Sequence, residues 1–344
     1  MEKIKINLPK ENISRLKKFV DSNFFKKNYS KSEMWKQFGA GSKISFQENH
    51  VILEGLAGLY FFKTSLIKRS LSKLKKSINN IFFNNSPIFL SHQKAFDLTM
   101  NNKQSRGKKQ LDFNIKTKHK IFRNFKEIKK ENLFKNFDFD YYETKHYYLL
   151  NVLRTQIDFG KINNILEIGG GSGHFSILIN SYHKNVKTYI DVDIPETIIF
   201  NICFLMYFFP EKRFLLPNEA NGKNIYDYNF VYLTPEQINS IKEDSIDLSI
   251  NCASFGEMIK KDISIYFDLI QQSSKNNAYF FNHNRVHKNP EGQDEEINKS
   301  LEPNIFSEYP YRKNNILIYD ICRWVQMLEK DPMMMRLEQI KKND

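Results

Sequence analysis

The sequence predicts an α/β protein: a parallel-rich sheet with helices on both faces, preceded by a mostly helical region. Three observations carry that prediction. From about residue 141 short apolar runs alternate with stretches of helical spacing, the pattern of a βαβ sheet. The run Glu167-Ile168-Gly169-Gly170-Gly171-Ser172-Gly173 follows directly on apolar Ile165-Leu166, so a buried strand breaks into a glycine loop. Polar and glycine-bearing residues fall at the C-terminal ends of the expected strands, where open α/β sheets bind their ligands.

The elements follow in order. Residues 1–140 show helical spacing in two stretches, Leu59, Phe62, Leu66, Ile67, Leu71 and Leu74, then Phe122, Phe125, Ile128 and Phe134. They are expected to form a mostly helical region for substrate binding or oligomerisation, with Trp35 in its core as the first reading and lining a substrate entrance as the second. Residues 141–344 form the second unit. A helix over 141–157 leads into a first strand at 164–168, the glycine loop, and a helix beginning near His174-Phe175-Ser176. A second strand at 187–192 ends in Asp191-Val192-Asp193, and Ile194-Pro195-Glu196-Thr197 opens a helix whose greasy run, 197–209, packs on the sheet. The third strand, 229–233, stops at Thr234-Pro235, where proline can begin a helix. The fourth, 246–251, runs into Ala253-Ser254-Phe255-Gly256-Glu257-Met258. The fifth, 278–281, ends at Asn282-His283-Asn284-Arg285, and 316–319 is the last strand. Residues 286–307 are polar and long enough to read either as an active-site lid or as an exposed loop.

Composition narrows the classes. A chain of 344 residues with 41% hydrophobic and 14% aromatic content forms a real core. Cys203, Cys252 and Cys322 form no C-x-x-C pair, which points to a reducing, cytoplasmic setting. The first residues lack a signal-peptide core, and 197–209 is too short to span a bilayer. The net charge of +13 invites an anionic partner. Its clearest runs are Lys73-Leu74-Lys75-Lys76 and 118–135. A solvated helical face is the first reading; a sugar nucleotide, lipid diphosphate or membrane surface is the second, and RNA the third.

Two cofactor patterns compete for the loop. The dinucleotide fingerprint asks for G-x-G-x-x-G, and its last glycine falls on His174. The pattern acidic-x-G-x-G-x-G is matched in full by Glu167, Gly169, Gly171 and Gly173, and resembles the first motif of Rossmann-like class I S-adenosylmethionine (SAM) methyltransferases. That resemblance implies SAM as cofactor, held by Glu167, Gly169, Gly170, Gly171 and Gly173. It also places the ribose hydroxyls on a carboxylate at the second strand's end, Asp193 in preference to Asp191, beside Ile194. Asn251 and Ser254 complete the cofactor set, and His174 serves packing there.

The acceptor is argued from strand ends. Asn251-Cys252-Ala253-Ser254 is not the D/N-P-P-Y/F motif that grips a flipped base, and Cys252 reads as a small buried residue rather than a nucleophile. Only Glu257 and Asp262 lie near the fourth strand, which leaves a divalent cation unproven. The set Glu167 to Gly173, Asp193-Ile194-Pro195-Glu196, Ser254-Phe255-Gly256-Glu257-Met258 and the Asn282 strand end resembles a sugar O-methyltransferase family found among bacterial surface-polysaccharide genes. The resemblance covers about 140–325, with a looser match through Ser32-Glu33-Met34-Trp35. Thr234-Pro235-Glu236 departs from the aspartate often found near the adenine. Such a reaction requires a base for the hydroxyl proton; His283 and Glu257 are the candidates. Arg285 is the candidate for an acceptor phosphate. RNA or another small molecule as acceptor, and an inactive scaffold subunit, are the alternatives.

Overall fold

The computed structural model describes residues 3–27, 43–54, 141–288, 302–322 and 333–342. Trp35, both apolar stripes of the N-terminal region, both basic runs and residues 289–301 of the expected lid lie outside them.

The centre of the molecule is an eight-stranded sheet in the order β12-β13-β9-β8-β4-β5-β7-β6. Its members are β4 (Asn164–Ile168), β5 (Thr188–Val192), β6 (Phe214–Leu215), β7 (Phe230–Leu233), β8 (Ile246–Cys252), β9 (Ser274–Arg285), β12 (Asn315–Ile321) and β13 (Met333–Gln339). From β6 to β9 neighbouring strands run parallel; β13 is antiparallel to both β9 and β12. The chain fills the sheet outward from β4 through β5 and β7, then returns to β4's other side with β8. The β4–β8 boundary is therefore the topological switch point, where a ligand crevice is expected.

Every residue of β5 and β7 is buried, as strands covered on both faces must be. Ile165, Tyr189, Tyr232, Ile250 and Phe281 belong to the core on one face, Leu166, Ile190, Val231 and Phe280 to that on the other. Helix α3 (Tyr141–Leu153) contacts α4 (His174–Tyr182), and its Leu149, Leu150 and Leu153 enter the first core. Helix α6 (Lys260–Ser273) covers the opposite face with Ile263, Phe267 and Ile270.

Helix α5 (Pro195–Phe208) explains the N-terminal residues. All but two of its fourteen residues are buried, so it is apolar all round and must be covered on its outer side as well. Residues 3–27 and 43–54 supply that cover. Strand β1 (Lys3–Asn7) and the short α2 (Asn23–Lys26) contact α5, and Ile6, Leu16 and Phe19 share its core. Arg15, in α1 (Lys10–Asp21), makes a two-pronged bond to Glu219 at 2.8 and 2.6 Å and a third to the Phe214 carbonyl at 2.8 Å.

The expected helical character of this region meets a finding the sequence did not signal. The strands β1, β2 (Lys43–Phe46) and β3 (His50–Glu54) form an antiparallel sheet in the order β1-β3-β2. In β3 only Val51 and Leu53 are buried, too short an alternation to stand out among lysines and asparagines. Strand β13 was also missed. It opens on Met333-Met334-Met335, unbranched side chains that do not favour strands by themselves. Among the described residues no helix is long and apolar enough to cross a membrane.

Candidate active site

The strand ends around the switch point form two rims. On the first, β4 breaks into the glycine loop, with Gly169, Gly171 and Gly173 at φ of 74°, 58° and 83°, the left-handed region that glycine alone adopts freely. Gly171 differs from the others in what surrounds it. A Cβ there would meet nothing within 4 Å, whereas one on Gly169 would run into Ser254. The loop thus leaves open space beside Gly171.

Three carboxylates surround this loop. Tyr189 donates to Glu167 Oε2 at 2.8 Å. Asp191 accepts from the Gly170 amide at 3.0 Å and from Asn201 Nδ2 at 2.8 Å, and Tyr232 donates to Asn201 Oδ1 at 3.2 Å. Asp193 accepts from the amides of Gly171 at 2.9 Å and Ile194 at 2.7 Å. Burial raises the Glu167 carboxyl to about 7 against the Tyr189 bond, with Asp193 adding repulsion. Asp193 is raised to about 6, first by burial and against its two amide bonds, and Asp191 goes well above its ordinary range by burial and the charge of Asp193 and Glu167. Each carboxylate weakens its neighbours' ionisation. A cation bearing hydroxyls and an amine would relieve all three, so the donor set and the open space fit the sulfonium cofactor that the loop motif implies.

The loop is held from beside. Asn251 Nδ2 donates to the Ile168 carbonyl at 2.9 Å, and Ser254 Oγ to the same carbonyl at 3.0 Å. Between them Ala253 sits at φ 65°, a strained conformation for a residue with a Cβ, which turns Ser254 back beneath β4. Asn251 and Ser254 thus act under the loop as positioning residues. His174 opens α4, where Ser172 Oγ and His174 Nδ1 lie 2.9 Å apart and the ring stacks on His146 at 5.8 Å. Thr234 caps its own turn through Gln237, bonding by main-chain amide and hydroxyl.

The second rim, at the ends of β8 and β9, consists mainly of amides. Asn284 Nδ2 donates to Asn251 Oδ1 at 2.7 Å and its Oδ1 accepts from the Gly256 amide at 3.1 Å. Asn282 donates to the Tyr311 hydroxyl at 2.7 Å. Asn304 lies on β11 (Asn304–Ile305), which pairs with β10 (His287–Lys288). Its Nδ2 donates to the carbonyls of Phe255, Gly256 and Met258 at 3.3, 3.3 and 2.7 Å, on both sides of Glu257.

The structure separates the two residues expected to take a proton. Side chains alternate along β9: Phe281 belongs to the α3-side core and stacks with His283, while Asn282 and Asn284 face the other way, toward the Glu257 segment. His283 is fully buried, and neither ring nitrogen has a hydrogen-bond partner. Burial, aided by Lys145, holds its pKa well below the usual histidine range, so the ring is neutral. Glu257 keeps 20% of its side chain exposed and lies 3.6 Å from Lys288. Arg285 ends β9 on His283's side and opposite Met333, and Lys288 is a cation that stands beside Glu257. Sequence reasoning passed over Lys288, Asn284 and Asn304, which lie in polar stretches without a motif. Asp191 was in view and joins Asp193 instead of yielding to it. Among the described residues no group of three or more His, Cys, Asp or Glu is placed to hold a metal ion.

No protein-family model and no curated protein matches the sequence. Among solved structures, a chain of the complex between the Haloferax volcanii Trm112 methyltransferase activator and a methyltransferase is 10% identical, covering 59% of this chain and 92% of that one, with a TM-score of 0.40. A SAM-dependent methyltransferase from Methanosarcina mazei is 13% identical over 56% of this chain and 98% of its own, TM-score 0.36. One from Archaeoglobus fulgidus is 16% identical over 58% and 100%, TM-score 0.35. The chain's own strand order and glycine loop make its fold Rossmann-like, of the class I SAM-dependent methyltransferase type.

Proposed function

We propose that this protein is a SAM-dependent O-methyltransferase acting on a hydroxyl of a sugar, as a sugar nucleotide or glycan intermediate of surface-polysaccharide synthesis in the cytoplasm. The observation that carries the cofactor is the open space at Gly171 among three carboxylates whose ionisation burial disfavours. When bound, SAM supplies an electrophilic methyl group. Glu167, Asp191 and Asp193 would neutralise and orient it, with the amides of Gly170 and Gly171 and the side chains of Asn251 and Ser254 fixing the loop. The acceptor proton goes to a side chain at the second rim.

We assign that proton to Glu257, because its carboxylate reaches solvent and the strand-end opening whereas His283 is sealed within the sheet. His283 then forms part of the wall on the α3 side. The sugar rests on the motif set around Glu257.

Transfer of label from methyl-tritiated SAM into separated glycan, nucleotide-sugar, RNA and protein pools tests the proposal. Label in a carbohydrate pool is expected. Label in RNA or protein alone would overturn the acceptor, and failure to bind SAM at all would overturn the methyltransferase reading.

A further inference from the structure

Lys288 is built into the second rim more firmly than a surface lysine requires. Only 17% of its side chain is exposed. A Cβ on Gly256 would lie 3.3 Å from Lys288 Cβ and Cγ, so the lysine stem packs directly on that glycine. Both sides of its pair with Glu257 are anchored. Asn304 and Asn284 hold the main chain around Glu257, and the β10–β11 pairing, continued by the Phe306 amide on the Val286 carbonyl at 2.9 Å, holds Lys288. The ammonium nevertheless stands 3.6 Å from the carboxylate, a loose ion pair without a hydrogen bond. An ammonium fixed at a strand-end crevice and only loosely paired is suited to exchanging its carboxylate for a stronger anion.

We propose that Lys288 recognises a diphosphate on the acceptor, exchanging Glu257 for a phosphate oxygen. The diphosphate carries more charge than one carboxylate and therefore displaces it from a half-buried ammonium. That the diphosphate is carried by a methyl acceptor rests on the methyltransferase reading; the diphosphate site itself does not. Nucleotide-linked and lipid-linked sugars share the chemistry.

Calorimetric titration of the full chain with uridine diphosphate, geranyl diphosphate and inorganic pyrophosphate, with uridine as the uncharged control, tests the site. The diphosphates are expected to bind with an affinity that falls with salt, and uridine is not. Lys288→Gln should weaken diphosphate binding about tenfold or more, as loss of a charge-assisted contact does, with SAM affinity unchanged. Lys288→Arg should retain binding. Tighter binding of uridine diphosphate would assign a nucleotide-linked acceptor, and of geranyl diphosphate a lipid-linked one. Diphosphate binding unaffected by Lys288→Gln, or no diphosphate binding by a protein that binds SAM, overturns the proposal. Diphosphate binding through Lys288 without SAM binding overturns the methyltransferase reading alone.

Discussion

The two rims beside the β4–β8 switch point occupy equivalent strand ends and are made of opposite chemistry. The β4–β5 rim gathers Glu167, Asp191 and Asp193, all raised in pKa by burial and mutual repulsion. The β8–β9 rim gathers Asn251, Asn282, Asn284 and Asn304, all 2% exposed or less and all hydrogen-bonded. Buried amides that satisfy one another fix a geometry without net charge. Buried carboxylates without a cation leave a demand for one. The first rim is accordingly expected to fail in binding when altered, the second in stability or turnover.

The largest effect belongs to the single carboxylate of the amide rim. Glu257→Gln should lower turnover by roughly 100-fold to 10,000-fold with SAM affinity intact, the range for a lost general base. His283→Ala should leave turnover within about threefold, and a large loss there would return the proton to the imidazole. Next comes a pair of substitutions read by chemical denaturation. Asn284→Ala removes the acceptor of the Gly256 amide and the donor to Asn251, and should cost about 2–6 kcal/mol, at about 1–3 kcal/mol for each buried group left unsatisfied. Asp193→Asn leaves one acceptor where the Gly171 and Ile194 amides each had an oxygen, so it should cost about 1–3 kcal/mol and in addition weaken SAM binding. Equal loss of SAM affinity in both variants would erase the contrast between the rims.

The smallest effect is a pH dependence. Glu167 and Asp193 hold protons more tightly folded than unfolded, so the ligand-free protein loses stability as pH rises from the ordinary carboxylate range through about 7. A cationic ligand favours the ionised carboxylates, so SAM affinity should rise between about pH 5.5 and 7.5, by about tenfold for each unit of linked shift. A flat affinity profile would show that these groups are not in the site.

What the sequence disclosed follows the same division. Strand β4, the loop and the helix starts at His174 and Pro195 were legible because an apolar run, clustered glycines and a proline each leave a local mark. The second rim was half legible. Glu257 and Asn251 lay in a motif, but Asn284, Lys288 and Asn304 gain their meaning from partners 28 to 49 residues away. The exclusion of His283 from solvent depends on which face of β9 it takes, and a strand buried on both sides carries no alternation to reveal it. The antiparallel insertion of β13 likewise depends on long-range pairing, not on its methionines.

The most direct test is calorimetric titration of SAM into the wild-type chain and into Gly171→Arg at neutral pH. The open space at Gly171 predicts that the arginine fills it and lowers affinity about 100-fold, about 2.7 kcal/mol, while thermal unfolding shifts by only a few degrees from left-handed strain of about 1–3 kcal/mol. Equal affinity in the two proteins, or no binding by the wild type, would contradict the account.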